Sequence, residues 1–226
     1  TLKINDRTKV VVCVASLTTP KGHHCLLDAW ARIVTNDRNG QVTPASQNSL
    51  QLVLVGDGPL RPQLQQQAEG LQISNTIRFL GYREDVPDLI QAADVCTLAS
   101  QLEGLGSSLI DAMLAARPVV TTTAGGIPEL LENDSSPVAW AVRPNDAAAL
   151  ANALRTALTS TAVAAQRAAC ARRHATQHFT ADRMVRKTLE LYEQLLSVRG
   201  TGARTGIPAC ASNKSANQSH AVRLGI

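Results

Sequence analysis

Aromatic residues are scarce in this chain: two Trp, two Tyr and two Phe make up 3% of its 226 residues. A sequence so poor in aromatics offers neither a stacking surface for nucleic-acid bases nor an aromatic sugar platform, so no nucleic-acid partner is expected. No apolar run reaches the roughly 20 residues needed to cross a bilayer as a helix, and no leader pattern is visible. The sequence opens on Thr1, so a fragment is expected, whose upstream part would carry any targeting segment. The five cysteines (Cys13, Cys25, Cys96, Cys170 and Cys210) form an odd set with neither C-x-x-C nor metal spacing. Cys13 and Cys96 fall inside strand-like runs, where a thiol behaves as a small hydrophobe. A reducing compartment fits that usage, which places the chain in the cytoplasm or at the inner face of its membrane. No G-x-G-x-x-G follows the first strand-like run and no acidic residue stands in the usual ribose position, which argues against a nicotinamide-dependent dehydrogenase. A P-loop, a D-x-D triplet, H-E-x-x-H and G-x-S-x-G are all missing, so no metal or cofactor is expected. His23 and His24 are adjacent and diverge on a helix, which leaves them a capping or solvent role rather than one shared metal.

What is present is regular alternation. Hydrophobic residues make up 44% of the chain, enough for one sizeable core. Val10–Ser16, Leu50–Val55, Thr76–Leu80, Asp94–Ala99, Pro118–Thr123 and Ala139–Val142 read as buried parallel strands. Helical spacing follows most of them, as in His23–Val34 with Leu26, Leu27, Trp30 and Ile33, and Asp146 is placed to cap a helix reaching Leu158. The segment from Thr35 to Ser49 reads as a polar surface insertion. Strand, glycine-bearing turn and helix, repeated about six times, predict an α/β fold: a Rossmann-like open parallel sheet with helices on both faces. Two further helices, over residues 160–179 and from Ala181 through Leu196, close a single domain of residues 1–200. Residues 201–226 are Gly, Ala, Ser, Asn and Thr without periodicity, and read as a disordered tail. Charge is split along the chain. Residues 1–159 hold 12 Lys/Arg against 15 Asp/Glu, whereas residues 160–226 hold 10 against 3, a net of +7. That basic end is either a solvated helix face with a loose tail or a contact for phosphate or anionic lipid.

Ligands of such sheets sit beyond the carboxyl ends of the strands, where every glycine turn of this chain lies. The fourth strand leads into Ser100–Met113, a loop feeding a helix in which Asp111 is the only charged side chain from Gly104 to Ala116. Burying an unpaired carboxylate is costly, so Asp111 should have a partner, either a ligand or a backbone or hydroxyl group of the fold. Gly104 and Gly106 permit close backbone approach, and a helix beginning near Leu105 presents N–H groups and a positive dipole end to an anion. Ser107 lies four residues from Asp111, on the same helix face. A phosphate at the turn and a hydroxyl-rich group at Asp111 would suit a phosphate joined to a sugar. Lys21 follows the first strand and points into the same crevice as a point charge for phosphate oxygens, the alternative being an exposed loop lysine.

The ordered set Lys21-Gly22, Val55-Gly56-Asp57-Gly58-Pro59, Ile77–Gly81, Ala92–Val95, Ser100–Met113, Pro118–Val120 and Gly125–Glu129 resembles the C-terminal, donor-binding domain of GT-B glycosyltransferases of the glycosyl transferases group 1 family. The resemblance spans roughly residues 10–158, and the two closing helices look like the family's C-terminal pair. It implies a retaining, metal-independent glycosyltransferase with Lys21 and Glu103 as catalytic residues. Lys21 would hold the diphosphate, Glu103 the sugar hydroxyls, the backbone around Gly104, Leu105, Gly106 and Ser107 the sugar and diphosphate, and Asp111 the ribose. Gly56, Gly58, Gly81 and Arg83 would frame the base. Ser16 stands where the family often has Arg, so one diphosphate contact is absent, and Asp111 replaces the usual Glu. The resemblance also implies a nucleotide-sugar donor, a glycan or lipid-linked acceptor, and an N-terminal acceptor-binding domain missing from this sequence. Two alternatives stay open: a non-catalytic nucleotide-sugar-binding or interaction module, and another GT-B-like enzyme such as a nucleotide-sugar epimerase.

Overall fold

The computed structural model describes residue 5 and residues 7–35, 50–133 and 136–201. The expected insertion beyond Thr35 and the expected tail beyond Thr201 lie outside the described residues. Six strands, β1 (Lys9–Val14), β2 (Leu50–Val55), β3 (Ile77–Gly81), β4 (Val95–Leu98), β5 (Val119–Thr122) and β6 (Trp140–Val142), form one sheet. Every pairing is parallel and the order is β3-β2-β1-β4-β5-β6. The helices are α1 (His23–Val34), α2 (Arg61–Gly70), α3 (Val86–Ala92), α4 (Ser107–Leu114), α5 (Ile127–Leu131), α6 (Ala147–Thr159), α7 (Thr161–His178) and α8 (Ala181–Thr201). This is the α/β, Rossmann-like open sheet that the alternation predicts, with the closing helices present.

Continuous apolar strands are explained by cover on both sides. Val11, Val12 and Cys13 of β1 and Leu52 to Val55 of β2 are buried without alternation, because helices pack on each face of the sheet. α1 packs with α2 and α6, while α4 packs with α3 and α7. Asp146 caps α6 as its position suggests, accepting a hydrogen bond from Ala149 N–H at 2.8 Å. On α1 the face Leu26, Leu27, Trp30 and Ile33 is buried, and Trp30 Nε1 donates to Thr76 Oγ1 at 2.9 Å.

The chain divides into two compact units, residues 1–183 and 184–226. In the second, α8 exposes Met184, Val185, Leu189, Leu191, Tyr192, Leu195 and Leu196. Among the described residues no helix is long and apolar enough to cross a membrane.

Trp30 is fully buried and satisfied at its single donor. Its replacement by Ala leaves a cavity and takes one donor from the Thr76 hydroxyl, which keeps its own bond to Ile73 C=O at 2.7 Å, and should cost about 3–5 kcal/mol in urea denaturation.

Candidate functional site

Strand order reverses between β1 and β4, and a crevice opens at the carboxyl ends of a parallel sheet at such a switch point. The loops leaving those two strands carry Lys21 and Glu103. Lys21 ends a short 3₁₀ turn, Thr19–Lys21, whose φ is preset by Pro20. Its Nζ lies 2.6 Å from Glu103 Oε2. The Ser100 hydroxyl, fully buried, donates to the same carboxylate oxygen at 3.0 Å, and the Ser100 carbonyl in turn accepts from Thr122 Oγ1 at 2.6 Å. Three strand ends, β1, β4 and β5, are thereby tied to one carboxylate.

Backbone contacts hold the same loops. Pro20 C=O accepts from Gln101 and Leu102 N–H, at 2.8 and 3.2 Å, and Gly126 N–H donates to Glu103 C=O at 3.1 Å. At Gly125, with φ +53°, a Cβ would lie 1.9 Å from the Glu103 carbonyl oxygen, so only glycine lets the β5 loop close on the Glu103 loop. Gly22, in the left-handed region at φ +64°, meets the Ala99 carbonyl in the same way. Farther along the sheet, Gly56 N–H donates to Gly81 C=O at 2.8 Å and Leu17 N–H to Asp57 C=O at 2.9 Å, joining the loops after β1, β2 and β3.

The two acids of the Ser100–Met113 stretch are pushed in opposite directions. Burial alone would raise the Glu103 carboxyl, but hydrogen bonds from Lys21 and Ser100, the Lys21 charge and the Gly104 N–H together hold it below the usual range. Asp111 has no side-chain partner among the described residues, and partial burial raises its pKa. It faces a groove of about 310 Å³ between α3 and α4, with Val86, Pro87, Ile90, Gln91, Leu114 and Ala115. Of the two kinds of partner left open for Asp111, no group of the fold supplies one among the described residues, and the side chain is exposed. A groove of similar size lined by Lys9, Asp94 and Arg117 lies at the amino ends of the strands, away from the crevice.

Residues 8–160 match the family described as Glycosyl transferases group 1. The chain belongs to that family. Relatives include the N-acetyl-alpha-D-glucosaminyl L-malate synthase of Bacillus anthracis, 29% identical over 130 residues, 58% of this chain and 31% of the relative. The glycogen synthase of Mycobacterium tuberculosis is 32% identical over 143 residues, 62% of this chain and 34% of the relative. Among solved structures, Anabaena HepE in complex with UDP and glucose is similar, with a TM-score of 0.69 at 31% identity, covering 84% of this chain and 49% of HepE. Sucrose-phosphate synthase from Thermosynechococcus elongatus superposes with a TM-score of 0.73 at 25% identity, covering 87% of this chain and 48% of the synthase. The chain thus spans about a third of these curated relatives and half of these solved chains, and its sheet is that of the C-terminal half of a GT-B fold.

Within this group 1 glycosyltransferase domain, the structure brings Lys21 and Glu103 together, and Gly56 and Gly81. It leaves others apart. Arg83 is committed to Asp85 by two hydrogen bonds, of 2.7 and 2.5 Å. Ser16 is exposed and lies 3.3 Å, oxygen to oxygen, from the Thr18 hydroxyl. α4 begins at Ser107 rather than near Leu105, because Gly106 takes the left-handed conformation at φ +70° and serves as N-cap; Gly104 and Leu105 are exposed loop residues before it. His23 is not at the surface. It is 1% exposed beside Cys13 Sγ, 3.9 Å away, and burial, with the charges of His24 and Lys21, pushes it down to about 4. Ser100 and Thr122 contribute without any local sequence signal. A serine three residues before an acid carries no signal of its own, and Thr122 is brought in from another strand.

Gly125→Ala should destabilise the domain by about 1–3 kcal/mol through backbone strain alone, whereas Gly104→Ala, whose Cβ would meet nothing within 4 Å, should be close to neutral in the same thermal melts. A raised carboxyl pKa means that the folded chain binds the Asp111 proton more tightly than the unfolded chain. Its contribution to stability is therefore fully present below the unfolded-state pKa and lost as pH rises through the folded one. Asp111→Asn should remove that slope and raise Tm at neutral pH, as measured by melts from the ordinary aspartate range up to pH 7.

Proposed function

We infer that this domain binds a nucleotide-diphosphate sugar in the crevice between β1 and β4 and serves transfer of the sugar, with retention of configuration, to a glycan or lipid-linked acceptor. The carrying observation is the Lys21–Glu103 ion pair at the switch point, set directly before the N-terminus of α4. Lys21 neutralises diphosphate oxygens as a compact cation. The N–H groups of Ser107 and Ser108 at the start of α4, with the helix dipole, face the same anion. Asp111, exposed and without a side-chain partner among the described residues, accepts hydrogen bonds from the ribose hydroxyls, and Glu103 accepts from the sugar. Gly56, Gly58, Gly81 and the Arg83 backbone frame the base.

Chemistry at this site is electrostatic. As the glycosidic bond to the diphosphate breaks, negative charge grows on the leaving phosphate, and Lys21 with the helix N-terminus stabilises it without reorganising. The acceptor and the exclusion of water come from a second, acceptor-binding half that the reading places outside this sequence. The UDP and glucose held by HepE, a 31% identical neighbour, support a nucleotide-sugar ligand for this chain.

UDP, GDP or ADP should raise the melting temperature, by the equivalent of about 2.7 kcal/mol at a hundredfold excess over Kd. Lys21→Ala or Asp111→Ala should abolish most of that shift, as each removes charge-assisted contacts worth about 1.5–3 kcal/mol. No shift with any nucleotide, in a folded sample, sinks the reading. Radiolabelled sugar transfer by the complete gene product tests the catalytic part.

A further inference from the structure

The ammonium that the donor's diphosphate needs is already engaged. Lys21 Nζ is 2.6 Å from Glu103 Oε2, and that oxygen is pinned by the buried Ser100 hydroxyl, whose own carbonyl is held by Thr122. A carboxylate fixed this way is a local competitor of phosphate for Lys21. It also places a negative charge beside the position the diphosphate must take.

We propose that Glu103 discriminates the sugar-bearing donor from the bare nucleoside diphosphate, by acting as the internal counter-ion that an incoming diphosphate must displace from Lys21. The inference rests on the nucleotide-sugar reading of this crevice. A nucleoside diphosphate that breaks the pair leaves the Glu103 carboxylate half-buried, without its cation and next to a phosphate, which is unfavourable on both counts. A donor that breaks it brings sugar hydroxyls, which donate to the freed carboxylate and restore its hydrogen bonds. The same residue therefore weakens the reaction's leaving nucleotide and supports its substrate. Ser100 is a positioning residue in this device, since it fixes the carboxylate oxygen that Lys21 meets.

The test is calorimetric titration with inorganic pyrophosphate, which carries the charge without a base, and with UDP, GDP and ADP, each nucleotide against its glucose or mannose conjugate. Removal of one charge a few ångströms from the phosphates should make Glu103→Gln bind pyrophosphate and its nucleoside diphosphate about tenfold more tightly than the wild type. The affinity gained from the attached sugar should shrink in the same variant. Ser100→Ala, which keeps the charge but frees the carboxylate, should move both quantities in the same direction by a smaller factor. A double-mutant cycle separates this from a structural effect: Lys21→Ala should cost more affinity in the Glu103→Gln background than in the wild type. Wild-type binding with no gain in Glu103→Gln overturns this inference alone. Failure of the wild type to bind any of these nucleotides overturns it together with the donor-site reading.

Discussion

The site depends on direct apposition of backbone at the carboxyl ends of the strands. Gly125 and Gly22 lie so close to the carbonyls of Glu103 and Ala99 that no side chain fits between. Loops on the surface of an α/β domain are ordinarily its most mobile parts. Here the loops after β1, β4 and β5 are joined to one another by hydrogen bonds and by contacts that a single methyl group would forbid. That gives Glu103 a fixed place, and through it Lys21.

Rigid placement matters because the electrostatics are local. Two acids eight residues apart on one loop and helix end with opposite characters. Glu103 is stabilised as a carboxylate by an ammonium, a hydroxyl and a backbone N–H, whereas partial burial at the edge of its groove pushes Asp111 towards the neutral form. The buried His23 and Cys13 behind Lys21 add no charge at neutral pH, since burial pushes the histidine down to about 4 and the thiol up to about 12. The cationic charge of the β1 loop is therefore Lys21 alone.

Much of this was legible in the residues. Short unbroken runs rich in β-branched residues and bounded by Gly and Pro read as strands covered on both faces, and those Gly and Pro positions marked where each ends. The helix cap at Asp146 and the Ser107–Asp111 face followed from spacing. His23 misled, because adjacent histidines at a helix start read as polar surface, and only the packing of α1 against β1 puts the ring beside Cys13. Asp111 misled in the other direction. Its apolar neighbours along the chain implied a buried position, but helix rotation turns it to the edge of a groove.

By itself the sequence determined that the sheet is parallel, that helices cover it, that the glycine-bearing turns all lie at one end, and which family the chain resembles. These follow from local periodicity and turn chemistry, which act over a few residues. Tertiary structure alone decided the strand order, and therefore that β1 and β4 are neighbours. From that one adjacency come the 2.6 Å meeting of Lys21 with Glu103, residues 82 positions apart, and the support of Ser100 by Thr122. Side-chain pairing at such separation depends on where whole strands pack, and no local pattern encodes it.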